Sequence, residues 1–271
     1  MTLYYGAAND LEQLITTHLF IICPNNSGST FLKNALATSS RTWNLVREGQ
    51  HTFGFTGPSS INQGLHKRWA AQQRWIDIFT GPAAFDWPAN RRAWYFQAYS
   101  QDAQACIFVE KSPPFLLLVD KLVEHFNNAR FVFMVRDPYA VVEGILRKST
   151  RDRHDSLPSG AALHNAASHV MNCLKYQRRN IEAWHDRGVF FSYETMCDEP
   201  TRAEQLIEGL VPELRDLTLR QRLRIREYDE TLRNMNEQQI ARLSADDRRQ
   251  LNSVFSRQQD VLDFFHYPLR N

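Results

Sequence analysis

An apolar run that breaks into a small polar turn lies near the start of the chain. The run His18 to Cys23 is typical of a buried strand, and Ser27-Gly28-Ser29-Thr30 follows it. Apolar residues then recur at helical spacing, at Leu32, Ala35 and Leu36. Such a turn places backbone N–H groups, the positive end of a helix dipole and three hydroxyls at one point, which suits a phosphate group. An ordinary capped helix after a core strand is the alternative interpretation.

The spacing around this turn argues against the phosphate loop of kinases and nucleotide hydrolases. In the pattern G-x-x-x-x-G-K-[ST], Gly28 is the second glycine, which places Cys23 at the first glycine and Ser29 at the lysine. That lysine contacts the terminal phosphates of a nucleoside triphosphate, so its absence disfavours ATP or GTP as the ligand. A P-loop kinase or hydrolase is therefore kept only as an alternative function.

A second strand, turn and helix start lies at Arg136-Asp137-Pro138. An apolar run from 131 to 135 precedes it, and Asp137 and Pro138 are suited to cap and begin a helix. Arg136 then lies at the carboxyl end of a strand, where open α/β sheets bind ligands, and its guanidinium suits a phosphate. The alternative is that Arg136 forms an ion pair with Asp137 or another carboxylate.

The pattern along the chain alternates strands and helices. Strands are predicted at 18–23, around 43–47, 105–110, 130–135 and 188–192. Helices are predicted at about 30–39, 63–79, 90–101, 114–126, 138–150, 160–186 and 200–210, and the chain from about 212 onward reads as helical only. This alternation predicts an α/β fold with a central parallel sheet flanked by helices. We expect one domain over 1–271, with a helical C-terminal region, 212–271, that packs on the core.

Together the two turns resemble the sulfotransferases that use 3′-phosphoadenosine-5′-phosphosulfate (PAPS). Four segments carry the resemblance in the family's order, over roughly residues 18 to 200: Ser27 to Leu32, Val109 to Pro114, Arg136 to Pro138 and Val189 to Glu194. The resemblance implies a single P-loop-like domain. It also implies that the first loop holds the 5′-phosphosulfate and that the Arg-Asp-Pro segment holds the 3′-phosphate.

The cofactor-binding residues that the resemblance implies are Asn26, Ser27, Gly28, Ser29, Thr30, Phe31, Arg136, Gly144, Arg147 and Tyr193. Two of them depart from the family pattern. Asn26 replaces the basic residue that usually precedes Ser-Gly, and Gly144 replaces a serine expected eight positions after Arg136. One of the residues Arg147 to Ser149 can compensate for the missing hydroxyl. A non-catalytic relative that keeps the fold and binds a nucleotide is a further alternative.

Sulfuryl transfer needs a base for the acceptor hydroxyl and a cation for the leaving phosphate oxygen. Glu48 and His51 follow the second predicted strand, and members of the family use either residue type as the base; Glu48 is favoured here. Lys111, which the resemblance places at the sulfuryl group, is the candidate cation. Alternatively, Glu48 pairs with its neighbouring arginine, His51 is a loop residue and Lys111 is solvated. Glu110 is either structural or a second carboxylate at the acceptor site.

Aromatic residues crowd the region between the second and third predicted strands. They are Trp69, Trp75, Trp87, Trp94, Tyr95, Phe96 and Tyr99. Packing in the core is the favoured interpretation, and a surface that stacks on the acceptor is the alternative.

The charge balance limits the partners. With 32 Lys and Arg against 30 Asp and Glu, the formal net charge of +2 gives no general attraction to nucleic acid. No apolar stretch approaches the roughly 18 residues of a membrane span, and Met1 to Tyr5 does not read as the start of a signal peptide, so a cytoplasmic protein is predicted. The resemblance implies PAPS without a metal, and a hydroxyl-bearing acceptor whose identity stays open, as does the oligomeric state.

Overall fold

The computed structural model describes residues 11–51, 68–81, 85–151, 159–225 and 228–271. The first residues of the helix predicted at 63–79 lie outside this part of the chain, and so do residues 152–158, which follow the helix predicted at 138–150.

The core of the fold is a five-stranded parallel sheet. Its strands are β1 (Thr17–Ile22), β2 (Thr42–Asn44), β3 (Ile107–Glu110), β4 (Ala129–Val135) and β5 (Gly188–Ser192). They lie in the order β2-β3-β1-β4-β5, so β1 pairs with both β3 and β4. These three inner strands are almost fully buried, as expected for a parallel sheet covered by helices on both faces. All five predicted strands are confirmed, although β2 is shorter than predicted.

Helices cover both faces of the sheet. They are α1 (Ser29–Leu36), α2 (Gln73–Thr80), α3 (Trp87–Ala98), α4 (Val119–His125), α5 (Pro138–Arg151), α6 (Ser159–Ala183), α7 (Tyr193–Asp198), α8 (Pro200–Leu210), α9 (Asn236–Ile240), α10 (Ala245–Phe255) and α11 (Gln259–Phe264). The helix predicted at 114–126 is divided into a 3₁₀ turn, Pro113–Leu117, and α4. Two prolines, which have no N–H, begin that turn. Over the described ranges, no helix is long and apolar enough to cross a bilayer.

The prediction that the chain is helical only from 212 onward is wrong. Leu223–Ile225 and Tyr228–Glu230 form two antiparallel strands, β6 and β7. The buried Leu223 packs in the same apolar cluster as α1 and α8, and the Arg224 carbonyl accepts a hydrogen bond of 3.3 Å from Asn34. Strands of three residues are too short to produce a period of their own between helical segments, which is why the sequence pattern missed them.

Apolar side chains of the last three helices pack on α5 and α6. Ile240, Leu251, Phe255 and Leu262 are buried in this cluster. Most of the aromatic residues before β3 also lie in the core, in the apolar cluster that contains Phe20, Phe108 and Phe131 of the sheet. Trp94, for example, is fully buried and stacks on the rings of Phe108 and Phe126.

Candidate active site

Every strand of the central sheet leads into one cavity at its carboxyl edge. The polar turn follows β1, Glu48 follows β2, and Lys111, Arg136 and Tyr193 directly follow β3, β4 and β5. The cavity has a volume of about 620 Å³, which is within the usual range of small-molecule sites. All the residues that the sequence analysis assigned to catalysis or cofactor binding line this cavity. Their individual roles stay predictions.

The polar turn is built around Gly28, which precedes α1. Its φ of 76° lies in the left-handed region, and a Cβ there would come within 2.5 Å of the Tyr193 ring. Only glycine therefore fits this position. The Ser27 hydroxyl donates a hydrogen bond of 2.9 Å to the Pro24 carbonyl, so it braces the turn and is not available to donate to a ligand. Ser29 and Thr30 begin the helix, whose first N–H groups have no partner within the helix.

Arg136 is a buried cation that lines the cavity. It is only 5% exposed. Its Nε donates to Asn236 Oδ1 at 2.8 Å, its Nη1 donates to the Asn26 carbonyl at 2.8 Å, and its guanidinium lies 4.0 Å from the centre of the Tyr193 ring. Its buried Nη2 has no hydrogen-bond partner among the described residues. Burial lowers the pKa of Arg136, but a guanidinium stays charged in proteins, so the cavity holds a positive charge ready for an anion.

The alternative in which Arg136 pairs with Asp137 is not what the structure shows. The Asp137 carboxylate binds Arg270 at 2.7 Å and accepts a hydrogen bond from the Tyr139 N–H at 2.9 Å. Asp137 thus caps α5, as predicted, and is neutralised by the C-terminal segment.

Asn236 is a site residue that the sequence analysis missed. Its amide Nδ2 donates to Glu194 Oε1 at 2.5 Å, while its Oδ1 accepts from Arg136. The Tyr267 hydroxyl donates to Glu194 Oε2 at 2.9 Å. Glu194 thus holds the Asn236 side chain in place, and Asn236 in turn orients the Arg136 guanidinium. Asn236 lies a hundred residues from Arg136 in the chain, and no local pattern marks it.

Glu48 and Lys111 form an ion pair in the cavity, between Glu48 Oε1 and Lys111 Nζ. Glu48 Oε2 accepts a hydrogen bond of 2.7 Å from Gln50 and lies 3.8 Å from His51 Nε2. Burial favours a higher pKa for Glu48, but the Lys111 ammonium and the hydrogen bonds from Lys111 and Gln50 lower it below its ordinary value. Burial also lowers the pKa of His51, although Glu48 opposes this. At neutral pH, Glu48 is therefore a carboxylate and His51 a neutral imidazole.

Glu110 supports the turn that carries Glu48. It is almost completely buried, and its Oε1 accepts hydrogen bonds from the Gly49 N–H at 2.8 Å and from the Ser112 hydroxyl at 2.5 Å. Burial raises the pKa of Glu110 to about 7. Glu110 does not line the cavity, which supports its structural interpretation.

The three residues that can compensate for Gly144 have different surroundings. Arg147 lines the cavity, but its Nε donates to Glu143 Oε1 at 2.9 Å. Ser149 is buried and does not line the cavity. Lys148 lines the cavity and donates a hydrogen bond to Asn26 Oδ1.

A sequence profile described as the sulfotransferase family matches residues 18–210. Because this is well over half of the chain, the protein belongs to the sulfotransferase family. The family predicted from the four ordered segments is thus confirmed, and it assigns the chain to enzymes that transfer a sulfuryl group. Comparison with curated protein sequences gives no match.

Several sulfotransferases of known structure have the same fold. The sulfotransferase domain from the curacin biosynthetic pathway is 15% identical, with a TM-score of 0.53 over 94% of this chain and 99% of that one. A sulfotransferase from Alicyclobacillus acidocaldarius is 14% identical, with a TM-score of 0.54 over 93% and 97%. One from Mycobacterium avium is 15% identical, with a TM-score of 0.53 over 98% and 82%. These likenesses confirm the predicted P-loop-like α/β fold.

Proposed function

We propose that this protein is a PAPS-dependent sulfotransferase that acts on a hydroxyl group of a glycan or a small-molecule alcohol. One observation carries the proposal. A single cavity contains a helix N-terminal turn suited to one phosphate and a buried arginine, suited to another, whose Nη2 has no hydrogen-bond partner in the part of the chain that the structure describes. A nucleotide with phosphates on two different positions of its ribose matches this arrangement.

The residues of the cavity fit such a nucleotide better than a nucleoside triphosphate. The turn before α1 would hold the 5′-phosphosulfate through N–H groups and the Thr30 hydroxyl, and Arg136 would hold the 3′-phosphate. The lysine that binds a γ-phosphate is absent from the turn, where Ser29 stands in its place. Bound PAPS would supply an electrophilic sulfuryl group and a stable bisphosphate leaving group.

Lys111 is proposed to stabilise the negative charge that develops on the leaving oxygen. Its side chain is 7% exposed and lies at the end of β3, next to the turn after β1. A cation in a site with little water acts strongly on such a charge, because its field is weakly screened.

Glu48 is proposed to accept the proton of the acceptor hydroxyl. While it pairs with Lys111 its pKa is lowered, which makes it a weak base. An anion in the turn competes for the Lys111 ammonium, and loss of that partner raises the pKa of Glu48. His51, 3.8 Å from Glu48 and neutral at pH 7, is the alternative base.

The proposal is tested by incubating the protein with ³⁵S-labelled PAPS and a panel of sugar, phenol and aliphatic alcohols. We expect label on at least one alcohol, with adenosine 3′,5′-bisphosphate formed in equal amount. Binding of the bisphosphate without transfer to any alcohol would favour the non-catalytic relative. Preferential binding of ATP with Mg²⁺ would contradict the proposal and favour a kinase or hydrolase.

A further inference from the structure

The two departures from the family pattern, Asn26 and Gly144, touch each other. Asn26 has a φ of 61° in the turn before α1, and its side chain lies against Gly144 in α5. A Cβ at residue 144 would lie 3.2–3.4 Å from the Cγ, Nδ2 and Cβ atoms of Asn26. A serine there would press on the Asn26 side chain. The absence of a side chain at residue 144 therefore makes room for the asparagine.

Lys148 occupies the space over Gly144. It lies four residues later in α5, and helical side chains lean towards the N-terminus of their helix, so residue 148 covers the face of residue 144. The Lys148 ammonium donates to Asn26 Oδ1. The carbonyl of the same asparagine accepts a hydrogen bond from Arg136 Nη1. One residue of the turn thus holds two cations of the cavity.

Two buried donors in this group have no hydrogen-bond partner within the described ranges. They are Arg136 Nη2 and Asn26 Nδ2. An unsatisfied buried donor is costly, and a bound oxygen-rich anion would satisfy both.

We propose that Lys148 is a second cation of the Arg136 subsite and binds the same phosphate monoester. It takes the place of the serine hydroxyl that Gly144 lacks at the Arg136 subsite. Arg147 does not fill this role, because Glu143 holds its guanidinium. This inference rests on the proposed function, since it assigns a residue to the 3′-phosphate of the same cofactor.

The test is isothermal titration calorimetry of two nucleotides, adenosine 3′,5′-bisphosphate and adenosine 5′-phosphate, against Lys148→Ala. Hydrogen bonds to charged groups contribute about 1.5–3 kcal/mol, so the bisphosphate should bind about 10- to 150-fold more weakly. Affinity for the 5′-phosphate should stay within about twofold. Lys148→Arg should recover most of the loss. Lys121→Ala, which removes an exposed lysine of α4, is the charge-matched control and should change neither affinity.

Lys148→Gln keeps a donor to Asn26 without the charge, and it should show the same selective loss. If the alanine variant does not fold, Lys148→Gln replaces it in the calorimetry. Equal losses for both nucleotides would place the ammonium at the turn and overturn the inference, as would an unchanged bisphosphate affinity. If the unaltered protein binds neither nucleotide, the proposed function itself fails. If it binds the bisphosphate and the variants do too, only the role of Lys148 fails.

Discussion

The ammonium of Lys111 binds the carboxylate of Glu48 at the carboxyl edge of the sheet. The two residues follow β3 and β2, which are neighbours in the sheet. The proposed cation and the proposed base therefore neutralise each other until an anion enters the cavity. In the free protein each group neutralises the charge of the other. When the sulfuryl donor binds and draws Lys111 away, the pKa of Glu48 rises.

Glu48→Gln should lower sulfuryl transfer at least about 100-fold, because a general base contributes roughly 10²–10⁴ to a rate. Affinity for adenosine 3′,5′-bisphosphate should remain, since the charge removed is not part of either phosphate subsite. Arg47→Ala changes the exposed residue next to it and should leave transfer within about twofold. Initial rates with labelled PAPS measure both. Transfer that survives in Glu48→Gln but is lost in His51→Gln would make His51 the base.

Lys111→Ala should also abolish transfer, for a different reason. The cation for the leaving oxygen is lost, and the rise in the pKa of Glu48 that follows the loss of its partner does not replace that cation. Single-turnover experiments at saturating PAPS separate this loss of rate from any loss of affinity. Normal turnover in this variant would remove Lys111 from the proposed chemistry.

Asn236→Ala should weaken binding of adenosine 3′,5′-bisphosphate about tenfold, because the Arg136 guanidinium loses the hydrogen bond that orients it. Adenosine 5′-phosphate does not need Arg136 and should bind as before. Gln238→Ala changes an exposed residue of the same helix and is the matched control. A merely structural role for Asn236 would lower both affinities together, and calorimetry of the two nucleotides distinguishes these results.

Glu110 should make the protein less stable as pH rises. Its pKa is about 7 in the folded chain and near 4.5 when exposed, so the folded state holds a proton that the unfolded state releases between these values. The free energy of unfolding therefore decreases as the pH rises from about 4.5 to about 7. Above pH 7 this decrease is complete. Glu110→Gln should flatten this dependence relative to the unaltered protein. Urea unfolding at a series of pH values measures it, and parallel curves for the two proteins would contradict the prediction.

Gly28→Ala should destabilise the fold by about 1–3 kcal/mol, because the new methyl group meets the Tyr193 ring and the left-handed φ becomes strained. Displacing Tyr193 also disturbs Arg136, so bisphosphate affinity should fall. Gly209→Ala is the control, since a Cβ there meets nothing within 4 Å in α8. It should stabilise the protein by about 0.5–1 kcal/mol. The melting temperatures of the two variants test this prediction. Equal changes in both variants would contradict it.

The sequence predicted the sheet and the cavity well because both depend on local patterns. Apolar runs that end in polar turns mark the carboxyl ends of β1 and β4, and parallel strands bring those ends to one edge. The turn at Gly28 and the helix start after Arg136 are each determined by residues within a few positions of each other. Their conformation can therefore be predicted from the sequence.

The features that the sequence did not predict depend on contacts between segments that are far apart in the chain. Asn236 reaches Arg136 from a helix near the C-terminus, and the three-residue strand β6, which pairs with β7, is held by packing against α1 and α8. Asn26 and Gly144 are separate departures when read along the sequence. Only the fold shows that Asn26 and Gly144 contact each other and that Lys148 binds Asn26 at the same place.

The most direct measurement is a thermal-shift comparison of the unaltered protein with adenosine 3′,5′-bisphosphate, adenosine 5′-phosphate and ATP with Mg²⁺. A ligand that binds the native state raises the melting temperature, and the increase grows with the logarithm of the ratio of its concentration to its dissociation constant. Engagement of both phosphate subsites predicts a clear increase with the bisphosphate and a much smaller one with the other two. An increase with ATP and Mg²⁺ alone, or none with the bisphosphate, would contradict the proposed PAPS-dependent transfer.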